Sequence, residues 1–104
     1  MGKVVIRYKV KPELADENQR LIERVFAELA ERDPGGIQYA AFRLEDGVSF
    51  VHVASVDAED GSNPLRAISA FADFTRDIAE RCDEPPDAQD AQLVGSYGLF
   101  SESP

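Results

Sequence analysis

The chain has few of the residues on which common catalytic and structural sites depend. Its 104 residues include no tryptophan, one cysteine and one histidine. A single cysteine, Cys82, cannot form an intramolecular disulfide framework, and no Cys or His residues stand in pairs at metal-ligand spacing. The sequence also lacks a phosphate-binding glycine loop and a nucleophile elbow. We therefore expect no resident metal ion.

Positive charge and long apolar runs are scarce as well. Lys and Arg total 11 against 20 Asp and Glu, for a net charge of −9. Because phosphate backbones and anionic membranes attract clustered Lys and Arg, we expect neither nucleic acid nor a membrane as a partner. No run approaches the roughly 20 apolar residues that span a bilayer, and the N-terminus is charged too early for a signal peptide. These features predict a cytoplasmic protein.

The hydrophobic pattern of the first half predicts a strand followed by a helix. Residues 3–10 alternate with period two, and Pro12 ends this strand because it cannot donate to a ladder. Apolar residues then recur at helical spacing until residues 33–36, Asp-Pro-Gly-Gly, stop the helix. Glu28 is one of the charged residues that fill the opposite face of that helix, whose apolar stripe we expect to face the sheet.

A hairpin is predicted next. Residues 37–45 and 48–56 flank Asp46-Gly47, a strong signal for a two-residue turn. Such a turn determines the pairing of the two strands. The predicted pairs are Glu45 with Val48, Arg43 with Phe50, Ala41 with His52, and Tyr39 with Ala54. Both faces of the hairpin are substantially apolar, so we expect helices on one face and a second subunit on the other.

The remaining chain predicts a second long helix and a last strand. Asn63 and Pro64 are a capping residue and a first helical residue. The predicted buried stripe comprises Leu65, Ile68, Phe71, Ala72, Thr75, Ile78, Ala79 and Cys82, with Phe74 beside it. Residues 83–87 are interpreted as an acidic linker, and residues 91–100 as the last strand, with bulges at Gly95 and Gly98.

This order of elements, βαββαβ, predicts one ferredoxin-like α+β domain over residues 1–104 with a four-stranded antiparallel sheet. Two helices cover only one face of such a sheet. We therefore predict that two sheets pack together in a homodimer.

His52 is the first candidate for chemistry, because a neutral imidazole can accept a proton from a phenolic substrate. The alternative is a core or interface histidine with both nitrogens hydrogen-bonded. The predicted register places it beside Ala41 and diagonal to Tyr39 and Arg43, where small neighbours leave space for a pocket.

Other polar candidates lie on the same elements. Arg43 and Arg7 could hold a carboxylate or an enolate oxygen, or could instead form ion pairs, for Arg43 with Glu45 or across the dimer. Asn18 falls on the apolar stripe of the first helix, where a buried amide needs a partner or a ligand. Three tyrosines, Tyr8, Tyr39 and Tyr97, could line a cavity rim or serve as strand packing. Apolar walls, or simply core packing, would come from Phe26, Phe71 and Phe74.

Several of these segments resemble the antibiotic biosynthesis monooxygenase superfamily, whose members are dimeric α+β barrel proteins. The resemblance is carried by residues 4–13 (VVIRYKVKPE), by Asn18, by residues 36–44 (GIQYAAFRL), by Phe50-Val51-His52 and by the helix around Phe71 and Phe74. It implies a homodimer with a pocket between sheet and helices. The haem-degrading members use a helical His and a Trp, both of which are missing here.

For function, the resemblance implies an oxygenase without a cofactor, in which the substrate anion itself reduces O₂. The protein then supplies deprotonation, an apolar cavity and orientation. On this interpretation His52 or Tyr39 assists deprotonation, Arg43 stabilises the anion and Asn18 orients the oxygen species. The substrate would be a small phenol or quinol. The alternative hypothesis is a dimeric protein that binds a small aromatic or acidic metabolite without catalysis.

Overall fold

Four antiparallel strands and a layer of helices make up the computed structural model, which describes residues 2–57 and 63–98. The strands are β1 (Gly2–Val10), β2 (Ile37–Arg43), β3 (Ser49–Val56) and β4 (Cys82–Ala91). The helices are α1 (Ala15–Arg32), α2 (Ser69–Arg76) and α3 (Ile78–Arg81), with 3₁₀ turns at Pro12–Leu14 and Pro64–Ala67. The strand order is β2-β3-β1-β4. The predicted ferredoxin-like α+β fold is confirmed.

The hairpin has the predicted register but a longer connection. Arg43 pairs with Phe50, Ala41 with His52 and Tyr39 with Ala54. The ladder does not extend to Glu45 and Val48, because β2 ends at Arg43 and β3 begins at Ser49. In the connection, the Asp46 carboxylate accepts hydrogen bonds from the backbone N–H groups of Val48 and Ser49 and from the Ser49 hydroxyl. The side chain of Asp46 therefore shapes this turn.

Helix α1 agrees with its predicted pattern. Ile22 and Val25 are buried against the sheet, and Leu21, Phe26 and Leu29 pack around them. The helix ends where expected, and Asp33 adopts the left-handed conformation with φ 44° while its N–H donates to the Leu29 carbonyl.

The predicted second long helix is wrong, because it is interrupted at two residues. Ile68 and Asp77 leave the helical conformation, so the segment divides into a 3₁₀ turn, α2 and α3. Asn63 does cap the first turn, since its side chain accepts a hydrogen bond from the Leu65 N–H. The interruption changes the buried stripe: Phe74 is 4% exposed, whereas Ala72, Thr75 and Ala79 are exposed. Phe74 is therefore central to the packing of this segment.

Glu28 explains how a new helix begins at Ser69. Its carboxylate accepts hydrogen bonds from the Ser69 and Ala70 N–H groups and from the Ser69 hydroxyl. These are among the N–H groups that have no partner within a helix, and the N–H of Ala70 is the main cause that lowers the pKa of Glu28. Glu28 is thus a tertiary cap, a role that the helical pattern of the sequence does not reveal.

The last strand lies earlier in the chain than predicted. Residues 83–87 belong to β4, Cys82 begins that strand, and residues 92–98 form no strand, so Gly95 and Gly98 are not bulges. Residues 99 and 100 of the predicted strand lie outside the described residues. Pro85 and Pro86 are tolerated because β4 is an edge strand and its register against β1 shifts between the pairs at Arg7 and Lys9.

The two faces of the sheet have different surroundings. On one face, Tyr8, Val10 and Phe50 pack with residues of the helices in a single buried cluster. Val5, Val51 and Val53 alternate to the other face and are only half-buried, and Phe42 on that face is 49% exposed. No helix of residues 2–57 and 63–98 is long and apolar enough to cross a membrane.

Replacing the tertiary cap, as in Glu28→Ala, should lower the midpoint of thermal unfolding by several degrees, because the Ser69 and Ala70 N–H groups lose their acceptor. Glu31→Ala is the matched control, since it makes the same change of charge on an exposed position of the same helix. Circular dichroism melts of both variants test this prediction. Equal midpoints in the two variants would contradict it.

Candidate functional site

A chain of hydrogen-bonded side chains crosses the interior between the helices and the sheet. Asn18 Nδ2 donates to the hydroxyl of Tyr8 at 3.0 Å, and that hydroxyl lies 2.8 Å from His52 Nε2. On the other side of the imidazole, the hydroxyl of Tyr39 lies 2.6 Å from Nδ1. The chain begins at Arg81, whose Nε donates to Asn18 Oδ1 at 3.1 Å. Five side chains from five different elements thus form one continuous polar connection.

Register explains how the sheet contributes three members of this connection. His52 on β3 is adjacent to Ile6 on β1 and to Ala41 on β2. Tyr8 and Tyr39 stand two residues from those partners, on the same face and on opposite sides of His52. The small side chain of Ala41 leaves room for both hydroxyl groups to reach the imidazole.

The interior members of the connection are almost completely enclosed. Asn18 is 0% exposed, Tyr8 and His52 are each 2% exposed, and Arg81 is 5% exposed. The ring of Phe74 stacks on His52 with centroids 5.5 Å apart. Within the described residues, no carboxylate lies within 4 Å of the Arg81 guanidinium, which instead donates to the Phe74 carbonyl and lies over its ring.

Burial controls the ionisation of these groups. It lowers the pKa of His52 to about 4, so the imidazole is neutral near pH 7. Burial also raises the pKa of Tyr8 and that of Tyr39 well above the ordinary value for a phenol. The site at neutral pH therefore contains a neutral imidazole between two neutral phenols.

A groove of about 600 Å³ lies where α1 faces the edge strand β2. Its apolar lining includes Ile22 and Phe26 from α1 and Phe50 from β3. Tyr39 also lines the groove, and its ring stacks on Phe26 with centroids 4.9 Å apart. Tyr39 is therefore the member of the hydrogen-bonded connection that meets this groove.

Arg43 lies at the other end of the groove and is already paired. It contacts Asp16 at 3.1 Å and Gln19 at 2.8 Å, and it donates to the Gly47 carbonyl. Its partner is thus Asp16 of α1 and not Glu45. Arg43 lies four positions after Tyr39 in β2, which places the two about 13 Å apart along the strand.

Solved structures with the same architecture are known. A structure described as an antibiotic biosynthesis monooxygenase is 20% identical, covers 91% of this chain and 100% of its own, and superposes with a TM-score of 0.70. SnoaB, a cofactor-independent oxygenase from Streptomyces nogalater in a mutant form, is 18% identical, with coverages of 93% and 96% and a TM-score of 0.66. The chain has the antibiotic biosynthesis monooxygenase fold.

The solved structures that share this fold are not all described as oxygenases. The protein NE2512 from Nitrosomonas europaea, of unknown function, has the same fold with a TM-score of 0.70, 15% identity and coverages of 96% and 95%. No protein-family model matches the chain, and no curated protein matches it. The comparisons therefore support the fold, and the activity must be argued from the site.

The monooxygenase fold separates some predicted site residues from the groove. Arg7 alternates to the opposite face of the sheet, where it is exposed, so it cannot share a pocket with Tyr39 within one chain. Tyr97 is fully exposed beyond β4 and lines no part of the groove. Phe71 and Phe74 pack against the core, and Phe74 touches the site through His52. Asn18 is enclosed, with both ends of its amide occupied.

Arg81 is the site residue that the sequence analysis missed. It was absent from the predicted buried stripe, and a charged residue near the end of a helix is ordinarily solvated. No local signal marks it, because its partner Asn18 is 63 residues away in the sequence. In the residues that the structure describes, no three or more His, Cys, Asp or Glu side chains gather where they could hold a metal ion.

The free energy of unfolding should decrease at acidic pH because of the buried imidazole of His52. Because its folded pKa of about 4 lies below the ordinary value of 6.5, the unfolded chain binds more protons, and stability is lost as pH falls from about 6.5 to 4. The loss reaches about 3 kcal/mol in the limit of the full shift.

Urea unfolding of the wild type and of His52→Gln at pH 7 and pH 5 measures this effect. Carboxylates titrate in both proteins, so the difference between them isolates the only histidine. The wild type should lose more stability than the variant between the two pH values. Parallel losses would contradict a buried neutral imidazole.

Proposed function

We propose that the protein belongs to the antibiotic biosynthesis monooxygenase superfamily and oxidises a small phenol or quinol without a cofactor. One observation carries the proposal: Tyr39 lines an apolar groove, and its hydroxyl lies 2.6 Å from Nδ1 of the buried His52 imidazole. The fold shared with a cofactor-independent oxygenase supports the reaction type.

The groove suits an aromatic substrate. Its volume of about 600 Å³ falls within the range of small-molecule sites, and its lining is mostly apolar, with few polar groups at fixed positions. Phe26, which is only partly buried, offers its ring for offset stacking with an aromatic substrate. The Tyr39 hydroxyl would then hydrogen-bond to the substrate oxygen.

The proposed reaction balances with O₂ as the only oxidant. A phenol that carries a C–H bond para to its hydroxyl reacts with O₂ to give a quinone and water. One oxygen atom becomes the new carbonyl, and the other leaves as water with the phenolic hydrogen and the displaced ring hydrogen. The substrate anion supplies the electrons, so the protein needs only to bind, orient and exclude water.

The side chains would divide this work by position. Tyr39 contacts the substrate oxygen and stabilises its anionic form, while His52 and Tyr8 hold Tyr39 in place through the buried hydrogen bonds. Arg43 would have to release Asp16 or Gln19 before it could bind a second substrate oxygen directly. We therefore assign Arg43 to joining β2 and α1 at the far end of the groove, through its contacts with Asp16 and Gln19.

Oxygen uptake tests the proposal. Purified protein is supplied with hydroquinones and polycyclic phenols, without added flavin or metal, and uptake above autoxidation is expected. Tyr39→Phe should lower kcat/KM about 10²-fold, because it removes the hydroxyl that meets the substrate. Tyr97→Phe is the matched control, since Tyr97 is fully exposed outside the groove, and its activity should be unchanged. Equal activity of the two variants would contradict the role of Tyr39.

A second candidate function is binding of a small aromatic molecule without chemical change. It is favoured by the complete satisfaction of His52, whose nitrogens both have partners within the chain and are not free to take a substrate proton. The two functions differ in one measurement: a ligand recovered unchanged after prolonged incubation in air supports binding, and an oxidised product supports catalysis.

We also propose that two copies pair through the sheet face that no described helix covers. Val51 and Val53 lie half-buried at the centre of that face, Phe42 is 49% exposed there, and Ser55 Oγ and Gln38 Oε1 are buried without hydrogen-bond partners. A second sheet would cover the apolar side chains and bring polar groups near these two atoms.

Light scattering at micromolar concentration should therefore give the mass of a dimer. Val53→Lys should reduce the mass to that of a monomer, because it buries an unpaired charge in the proposed interface. Ala72→Lys, on the exposed outer side of α2, serves as the control and should stay dimeric. A wild-type monomer would contradict the proposal.

A further inference from the structure

The buried hydrogen-bonded connection begins at a group that can only donate. A guanidinium has no acceptor atom, so Arg81 Nε must donate to whichever atom of Asn18 it meets. The amide of Asn18 is thereby oriented with its oxygen toward Arg81 and its nitrogen toward Tyr8. The reverse orientation would place two donors against each other.

The direction of the next hydrogen bonds follows from this orientation. Asn18 Nδ2 donates to the Tyr8 oxygen, so the hydroxyl proton of Tyr8 needs a separate acceptor. Tyr8 is 2% exposed, and among the described residues only His52 Nε2 lies within hydrogen-bond distance to accept that proton. A buried hydroxyl without an acceptor would be costly, so Nε2 accepts.

A neutral imidazole has one donor and one acceptor nitrogen. Since His52 Nε2 accepts from Tyr8, the proton of the ring resides on Nδ1 and is donated to the Tyr39 oxygen at 2.6 Å. The hydroxyl proton of Tyr39 then has no partner among the described residues, and Tyr39 is the member of the connection that lines the groove.

We infer that Arg81 is a positioning residue that sets the direction of the whole connection, so that Tyr39 offers a hydrogen-bond donor to the groove. The groove therefore selects a ligand with an acceptor oxygen, a phenolate or a quinone carbonyl, over a neutral phenol that must donate its own proton. The substrate class in this inference rests on the proposed function, whereas the direction of the hydrogen bonds does not.

Nitrogen-15 NMR of the imidazole tests the direction without any activity. Because the chain has one histidine, its two ring nitrogens give the only imidazole signals. The wild type should show a protonated Nδ1 and an unprotonated Nε2 at pH 7. A protonated Nε2 in the wild type would overturn the inference.

Asn18→Asp should reverse the connection. A carboxylate accepts from Arg81 with one oxygen and from the Tyr8 hydroxyl with the other, so the Tyr8 oxygen would accept from His52 Nε2 and Nδ1 would accept from Tyr39. The proton of the imidazole should therefore move to Nε2. Asn63→Asp makes the same change of charge at a residue that caps a distant turn, and it should leave the proton on Nδ1.

Arg81→Met and Arg81→Lys test whether Arg81 sets the direction of the hydrogen bonds or only packs in the interior. The first variant removes the donor and frees the Asn18 amide to rotate, so both tautomers should appear, while the second retains a group that only donates and should restore Nδ1 protonation. An unchanged Nδ1 proton in Arg81→Met would overturn the role of Arg81. If that variant folds poorly, an unchanged Nδ1 proton in Asn18→Asp would overturn the inference instead.

The substrate class is tested separately with 4-nitrophenol, whose neutral and anionic forms absorb at different wavelengths. The wild type should favour the anion over the neutral form, and Asn18→Asp should shift this preference by about tenfold toward the neutral form. Asn63→Asp should behave as the wild type does. If the NMR result agrees but the bound nitrophenol is neutral in the wild type, the direction holds and the ligand class is overturned.

Discussion

The rest of the site depends on the buried guanidinium of Arg81, which has no carboxylate partner among residues 2–57 and 63–98. Removing such a charge from water is costly unless hydrogen bonds compensate it, and Arg81 obtains them from the Asn18 amide and from the Phe74 carbonyl. That carbonyl is free because α2 ends at Arg76, which leaves the last carbonyls of the helix without partners in the helix. The break in the second helical segment and the polar interior are therefore linked through Arg81, which donates to the Phe74 carbonyl and to Asn18.

Within the described part of the chain, the members of this interior differ in their access to the groove. The helices and Phe74 enclose Asn18, Tyr8 and His52, and Tyr39 alone reaches the groove beside the edge strand. In such a connection the direction of each hydrogen bond determines the direction of the next. The donor at Arg81 can therefore determine whether Tyr39 donates to a bound molecule or accepts from it. Because every interior member is held by a partner, the donor at Tyr39 is oriented before a ligand arrives, which lowers the cost of binding.

Patterns in the sequence predicted several members of the hydrogen-bonded connection but not Arg81, the residue at which it begins. The hairpin register placed Tyr39 and His52 on one face, and helical periodicity placed Asn18 on a buried stripe; both are confirmed. The interpretation of His52 as a residue with both nitrogens bonded also agrees with its contacts. Pattern alone did not reveal Arg81 or the capping role of Glu28, since each acts on residues more than 40 positions away.

The amino-acid sequence by itself determined the order of the elements and the register of the hairpin, because periodicity and turn residues act over a few neighbouring positions. Only the tertiary structure decided where the second helix breaks, that β4 runs through an acidic, proline-containing segment, and that Arg81 enters the interior. These outcomes depend on long-range partners: Glu28 for Ser69, the backbone of β1 for β4, and Asn18 for Arg81. Such partners meet only when the chain is folded, so local patterns could not reveal them.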